Sequence, residues 1–189
     1  MTDRETPPRE PPPQATDRVP SLVLVNTGDG KGKSTAAFGT AMRAVARGWR
    51  VAVVQFLKSG EWSVGEEKIG RKVGMDWWAL GDGFTWDSED IEESEAMARA
   101  AWDHARSTIE SGQYQLVVLD EVTYPIRGGW IDLGEVLTVL RQRPKKVNVI
   151  LTGRGAPQEL IDLADTVTEM RNVKHAYDQG IMARRGIDY

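Results

Sequence analysis

The sequence predicts an α/β fold, a mainly parallel sheet with helices packed on both faces. Three observations predict it. Apolar, strand-like runs alternate with stretches of helical period along the chain, a glycine-rich loop joins the first such run to the first helix, and a later apolar run ends abruptly in two carboxylates. With right-handed crossovers, that order builds a P-loop (RecA-like) domain.

Whole-chain properties narrow the classes. At 189 residues and 40% hydrophobic, the chain can bury one core, so a single domain over 21–189 is expected. The net charge of −4 gives no electrostatic case for a nucleic-acid partner. Zero cysteines exclude disulfides, thiolate nucleophiles and Cys-ligated zinc or iron–sulfur centres. There is no apolar leader and no run near the ~20 apolar residues of a membrane span, so a cytoplasmic protein without a membrane partner is expected.

Residues 1–20 carry six prolines among polar and charged residues and read as a disordered, Pro-rich arm. Ser21 to Asn26 is the first strand. Phe38, Ala41, Met42 and Val45 then recur at helical spacing, and Gly48 supplies a left-handed C-terminal cap. Arg50 to Phe56 is almost continuously apolar, as in a strand covered on both faces. A short helix over Glu66 to Val73 and a strand over Met75 to Leu80 follow. Ala98, Ala101, Trp102, Ala105 and Ile109 mark an amphipathic helix within 90–111, stopped at Gly112, with His104 beside the stripe as a surface histidine rather than a metal ligand. Gln115 to Glu121 is a buried strand. Asp132 and Glu135 form an N-capping pattern before Val136, Leu137 and Leu140. Lys146 to Leu151 is a strand, Pro157 opens a helix reaching Ala164, and Thr166 to Met170 is the last strand. There is no internal repeat, and the tail has no strong period.

The chemistry concentrates at the ends of these strands. Thr27-Gly28-Asp29-Gly30-Lys31-Gly32-Lys33-Ser34-Thr35 matches G-x-x-x-x-G-K-[ST] except at its first position, where Thr27 stands for glycine. Glycines there let backbone N–H groups converge on a polyphosphate at a helix N-terminus, so these nine residues are the candidate ATP contacts. Lys33 would reach phosphate oxygens and the Ser34 hydroxyl would hold magnesium. Lys58 and Ser59 follow a strand end, where open α/β sheets place ligand contacts, and are candidates by position. Asp120 and Glu121 are the acidic element that completes a magnesium–nucleotide site. Arg154, between Gly153 and Gly155, suits bidentate phosphate contact. Phe84 and Trp86 lie in an aromatic loop that serves either packing or a ligand. These residues leave open whether the domain hydrolyses ATP, phosphorylates a substrate or does something else.

Several stretches together resemble one family, the ATP:corrinoid adenosyltransferases of the cob(I)alamin type. They are Thr27 through Gly39, Val53-Val54-Gln55-Phe56-Leu57-Lys58, Gly83-Phe84-Thr85-Trp86, Val118-Leu119-Asp120-Glu121, Thr152-Gly153-Arg154-Gly155 with Asp162-Leu163-Ala164-Asp165, and Val173 through Tyr177 on to Gly186-Ile187-Asp188-Tyr189. The loop beginning at Thr27 resembles the family's own variant. Two departures stand out: residues 1–20 are proline-rich where family members often carry a helical lid, and Asp29 stands where asparagine is common.

The resemblance implies transfer of the 5′-deoxyadenosyl group of ATP to the cobalt(I) of a corrinoid, with triphosphate released and ATP reversed across the loop. Lys33 and Glu121 would be the catalytic residues, and Ser34, Asp120 and Glu121 the magnesium ligands. Residues matching Phe84 and Trp86 would sit against the lower corrin face and exclude its axial ligand, easing reduction of cobalt(II). The implied partners are cobalamin or a corrinoid precursor and an electron donor such as a reduced flavoprotein; a homodimer is expected. Two other readings compete. One is a RecA-like ATPase motor or switch with Glu121 as its catalytic glutamate, and the other is a corrinoid-binding regulator gated by ATP.

Overall fold

A computed structural model describes residues 17–57, 65–81 and 91–188. Its elements run β1 (Val23–Thr27), α1 (Lys33–Ala46), β2 (Val51–Gln55), α2 (Gly65–Lys72), β3 (Asp76–Ala79), α3 (Ile91–Glu110), β4 (Leu116–Asp120), α4 (Thr123–Arg127), α5 (Leu133–Gln142), β5 (Asn148–Thr152), α6 (Gln158–Leu163) and β6 (Thr166–Glu169), with a 3₁₀ turn at Tyr177–Gln179. The strands form one sheet in the order β3-β2-β4-β5-β1-β6, and every neighbouring pair is parallel. This is the α/β P-loop-like architecture expected from the sequence.

Alternation along the strands divides the core in two. Ala52, Val54, Val117, Leu119, Val149 and Leu151 face one side, where they pack with Trp102 and Ile109 of α3 and Val136 and Leu140 of α5. Their neighbours Val51, Val53, Val118 and Ile150 face the other, against Ala37, Phe38 and Ala41 of α1. Helices on both faces explain the unbroken apolar runs of the central strands.

The local signals act as expected at most element ends. Gly48 and Gly112 adopt positive φ and close α1 and α3. The Asp132 carboxylate accepts from the Glu135 N–H at 2.8 Å, a cap that contributes about 1 kcal/mol. Met42, placed on the α1 stripe by its spacing, is 41% exposed, so the buried face of that helix is narrower than the sequence pattern. Helix α4 was not expected at all: five residues around Pro125 are too short to show a period. The expected Pro-rich arm lies outside the described residues except for 17–20, which are exposed. Among the described residues no helix is long and apolar enough to cross a membrane.

Candidate active site

The glycine loop is shaped by the chain that follows β6. Gly30 N–H donates to Met170 O at 2.6 Å, and Met170 N–H donates to Thr27 O at 2.8 Å. A Cβ on Gly28 would stand 2.5 Å from Met170 O, and one on Gly30 would stand 2.7 Å from backbone atoms of Met170 and Arg171. Neither position admits a side chain unless the backbone moves. Gly28 and Gly32 also hold φ of 91° and 115°, in the left-handed region. Thr27 is buried and its hydroxyl accepts from Ala156 N–H, which gives a structural reason for threonine at the first motif position.

Asp29 through Thr35, Glu121 and Arg154 surround one polar cavity of about 270 Å³. Thr27, Gly28 and Asp120 are not among its lining residues. Glu66, His175 and Asp188 complete the wall, and Asp188 pairs with Lys31 of the loop. Lys33 is 7% exposed and its ammonium donates to Gly30 O at 2.8 Å. Burial pulls its pKa below the ordinary lysine range; Arg154 acts in the same direction, while Glu121, Asp29 and Asp120 oppose it. The polar cavity shares Thr35 and Glu66 with a larger apolar one of about 470 Å³, lined by Phe38, Met42, Ile69, Met75 and Trp77 and bordered by Gly186 and Ile187.

Beneath the cavity the sheet carries a row of polar side chains. Gln55 on β2, Asp120 on β4, Thr152 on β5 and Asn26 on β1 end their apolar runs at matching register, and all are buried. Gln55 Nε2 donates to Asp120 Oδ2 at 2.9 Å, and Thr152 Oγ1 donates to Asp120 Oδ1 at 2.8 Å. Asn26 Nδ2 donates to the carbonyl of Lys33 in the first turn of α1. Glu121 follows with a φ of 61°, the one non-glycine residue with positive φ among the described residues, a conformation costing on the order of 1–3 kcal/mol. Its N–H donates to Thr152 Oγ1 at 2.9 Å.

Helix α4 secures the opposite wall. Gly153 has a φ of 138°, and any Cβ there would overlap Thr123 Oγ1, which donates to Arg154 O at 2.8 Å. Lys58, Ser59, Phe84 and Trp86 lie outside the described residues. Glu66, His175 and Asp188 went unassigned in the sequence; the last two lie in the tail, whose place against the glycine loop no local pattern encodes. The polar row left only a weak signal: Asn26, Asp120 and Thr152 each close an apolar run, whereas Gln55 is followed by Phe56 within one. His104 is half-buried rather than on the surface, its ring tilted 59° against Trp78 with centroids 4.5 Å apart, away from the cavity lining.

The donor set suits magnesium. Ser34 and Glu121 offer hard oxygen ligands inside the cavity, and Asp120 stands behind them. Among the described residues no cluster of three or more His, Cys, Asp or Glu forms an all-protein metal cage, so an ion here would also draw on waters and phosphate oxygens.

Residues 20–189 match the model of a family described as ATP:corrinoid adenosyltransferase BtuR/CobO/CobP. The chain is 45% identical over 168 residues to the corrinoid adenosyltransferase of Escherichia coli (strain K12), covering 89% of this chain and 85% of that protein. It is equally similar, over the same shares, to corrinoid adenosyltransferase CobA of Salmonella typhimurium. To the corrinoid adenosyltransferase of Pseudomonas aeruginosa it is 42% identical over 170 residues, covering 89% of this chain and 83% of that protein.

Proposed function

We infer the chemistry of the site from one premise: the chain belongs to the ATP:corrinoid adenosyltransferase family. It is a transferase that adenosylates corrinoids at the expense of ATP, a reaction of cobalamin biosynthesis. The observation that carries the assignment of residues is the polar cavity built by the glycine loop, with Lys33 buried in it and an apolar cavity opening beside it.

In the reaction the electron pair of cobalt(I) forms a bond to the 5′ carbon of ATP while the C5′–O bond breaks, its electrons leaving on triphosphate. Charge therefore grows on the leaving group, and the backbone N–H groups of the loop, Lys33 and Arg154, which line one cavity, would stabilise it. Donors fixed in advance at such a position are each worth about 2.7–4 kcal/mol of barrier. Because Lys33 already points into the loop, hydrogen-bonded to Gly30 O, it need only exchange a carbonyl for a phosphate oxygen. Ser34 and Glu121, with Asp120 behind them, would hold magnesium, which when bound supplies further charge neutralisation at the phosphates. Asp29, Lys31 and Thr35 line the same cavity, and Lys58 and Ser59 extend the ATP contacts on the resemblance alone. Phe84 and Trp86 are assigned to the corrinoid on the same ground, as are a reduced flavoprotein donor and a homodimeric state. The need for ATP supports a cytoplasmic setting for the reaction.

The deciding experiment is to incubate the protein with ATP, magnesium and chemically reduced cobalamin and to identify the phosphate product. Triphosphate with an alkylated cobalt spectrum is expected. ADP with phosphate would point to the ATPase motor, and intact ATP with bound corrinoid to the regulator.

A further inference from the structure

We propose that Gln55 and Trp77 are positioning residues for the acidic strand end, acting through Asp120 and Thr152 on Glu121. The proposal rests on reading that strand end as the metal and triphosphate site.

Hydrogen-bond direction is fixed along the whole row. Trp77 Nε1 donates to Gln55 Oε1 at 2.8 Å, and an indole nitrogen can only donate. The Gln55 amide is therefore fixed with its oxygen toward Trp77 and its NH₂ toward Asp120 Oδ2. At the other end, the Glu121 N–H is also only a donor, so Thr152 Oγ1 accepts from it and turns its own hydrogen to Asp120 Oδ1. Two donor-only groups at the ends thus set every bond between them, and both oxygens of Asp120 receive hydrogens. Gln55 and Asp120 are 1% exposed, Trp77 2% and Thr152 0%, so water does not compete for these partners.

The row does one thing that packing alone would not. Glu121 sits at a φ of 61° without the excuse of being glycine, and its N–H is held there by Thr152, whose orientation depends on Asp120, whose partner is Gln55. Glu121 lines the polar cavity opposite Lys33, whereas Trp77 lines the neighbouring apolar cavity. The strand pairing explains why the row reaches so far: Gln55 and Asp120 are direct register partners, and β3 adds Trp77 beside Val53.

The test uses the whole chain with ATP and no corrinoid, and reads the dissociation constant of Mn²⁺ by electron paramagnetic resonance. Trp77→Phe, which removes the N–H and keeps a ring, and Gln55→Met, which keeps the volume, should each raise it about tenfold, as loss of an outer-shell partner does. Binding of ATP in EDTA should stay within about twofold of wild type, since the glycine loop is untouched. Trp78→Phe is the packing control: that ring packs at a tilt on His104 and edge-on against Tyr114, on the other face of the sheet, and should leave Mn²⁺ affinity unchanged. Glu121→Gln separates the two levels of the argument. If Glu121→Gln weakens Mn²⁺ binding while folded Trp77→Phe and Gln55→Met do not, the positioning role is wrong and the metal assignment stands. If Glu121→Gln has no effect, both fall. Equal losses of Mn²⁺ affinity in Trp77→Phe and Trp78→Phe, tracking melting temperature, would likewise overturn the role in favour of packing.

Discussion

Replacing Lys33 by alanine should abolish most activity while leaving the fold's stability nearly unchanged, a combination that follows from what the side chain does before ATP arrives. Its ammonium makes a 2.8 Å hydrogen bond to Gly30 O, a charged bond worth about 1.5–3 kcal/mol. Against this stands the desolvation cost of an ammonium in the wall of an open cavity, on a residue 7% exposed overall, a cost of similar size once the cavity's own solvent is counted. The two effects nearly cancel, so the net change should stay within about 1 kcal/mol, or a shift of roughly 2–4 °C in melting temperature for a domain of this size. Transfer is another matter. Loss of one preorganised donor at a developing anion costs about 100- to 1,000-fold in kcat. The rate is read as growth of the alkylcobalt spectrum under a strong chemical reductant, alongside a melt followed by circular dichroism. A kcat within about threefold of wild type would refute the role assigned to Lys33. A fall in melting temperature beyond 10 °C, about 3 kcal/mol or more, would show instead that the lysine holds the loop together.

Phe84→Ala with Trp86→Ala tests the redox role that the family resemblance assigns to that pair. With a flavoprotein donor the double variant should lose about tenfold in the equilibrium fraction of cobalt(I), and with it in rate where that reduction is a pre-equilibrium, for every 59 mV of lost potential, and with cobalt(I) supplied by a strong reductant it should lose little; equal losses in both assays would return these rings to packing. Tyr114 gives a pH prediction. Burial and then the hydrogen bond to Asp76 raise its hydroxyl pKa above the ordinary 10, so its contribution is present below that value and is lost as pH rises through the folded one. Tyr114→Phe should therefore be less stable than wild type by about 1 kcal/mol at neutral pH, with the gap closing above pH 10 in urea titrations. A gap that stays constant as pH rises past 10 would show that folding does not raise the pKa of this hydroxyl.

What could be read from the sequence was what is local. The glycine loop, the apolar runs and the caps at Gly48, Gly112 and Asp132 each have their cause within a few residues, and they appeared where expected. Helix α4 escaped because a single turn through Pro125 has no period to detect, yet Thr123 in it fixes the carbonyl of Arg154. Asn26, Gln55 and Thr152 escaped for a different reason. Each is unremarked as a strand-end polar residue, and only sheet order brings them into a line with Asp120. His175 and Asp188 join the cavity through a tail that follows the last strand and depends on that strand's pairing with β1.

The position of β1 between β5 and β6 has a consequence for synthesis. Leu22 and Asn148, bonded at the start of that pairing, are 126 residues apart, and Val23 meets Asp165 across 142. At 5–20 residues per second the first strand waits about 6–25 s on the ribosome for its earliest partner. Strands β2, β3 and β4 pair with one another and need neither β1 nor β6. The sheet is thus free to assemble from its β3 edge toward β1 and β6, and the glycine loop is anchored only when Met170 has been made. A chain interrupted before that residue would carry the whole phosphate-binding motif and still lack the backbone contacts that shape it.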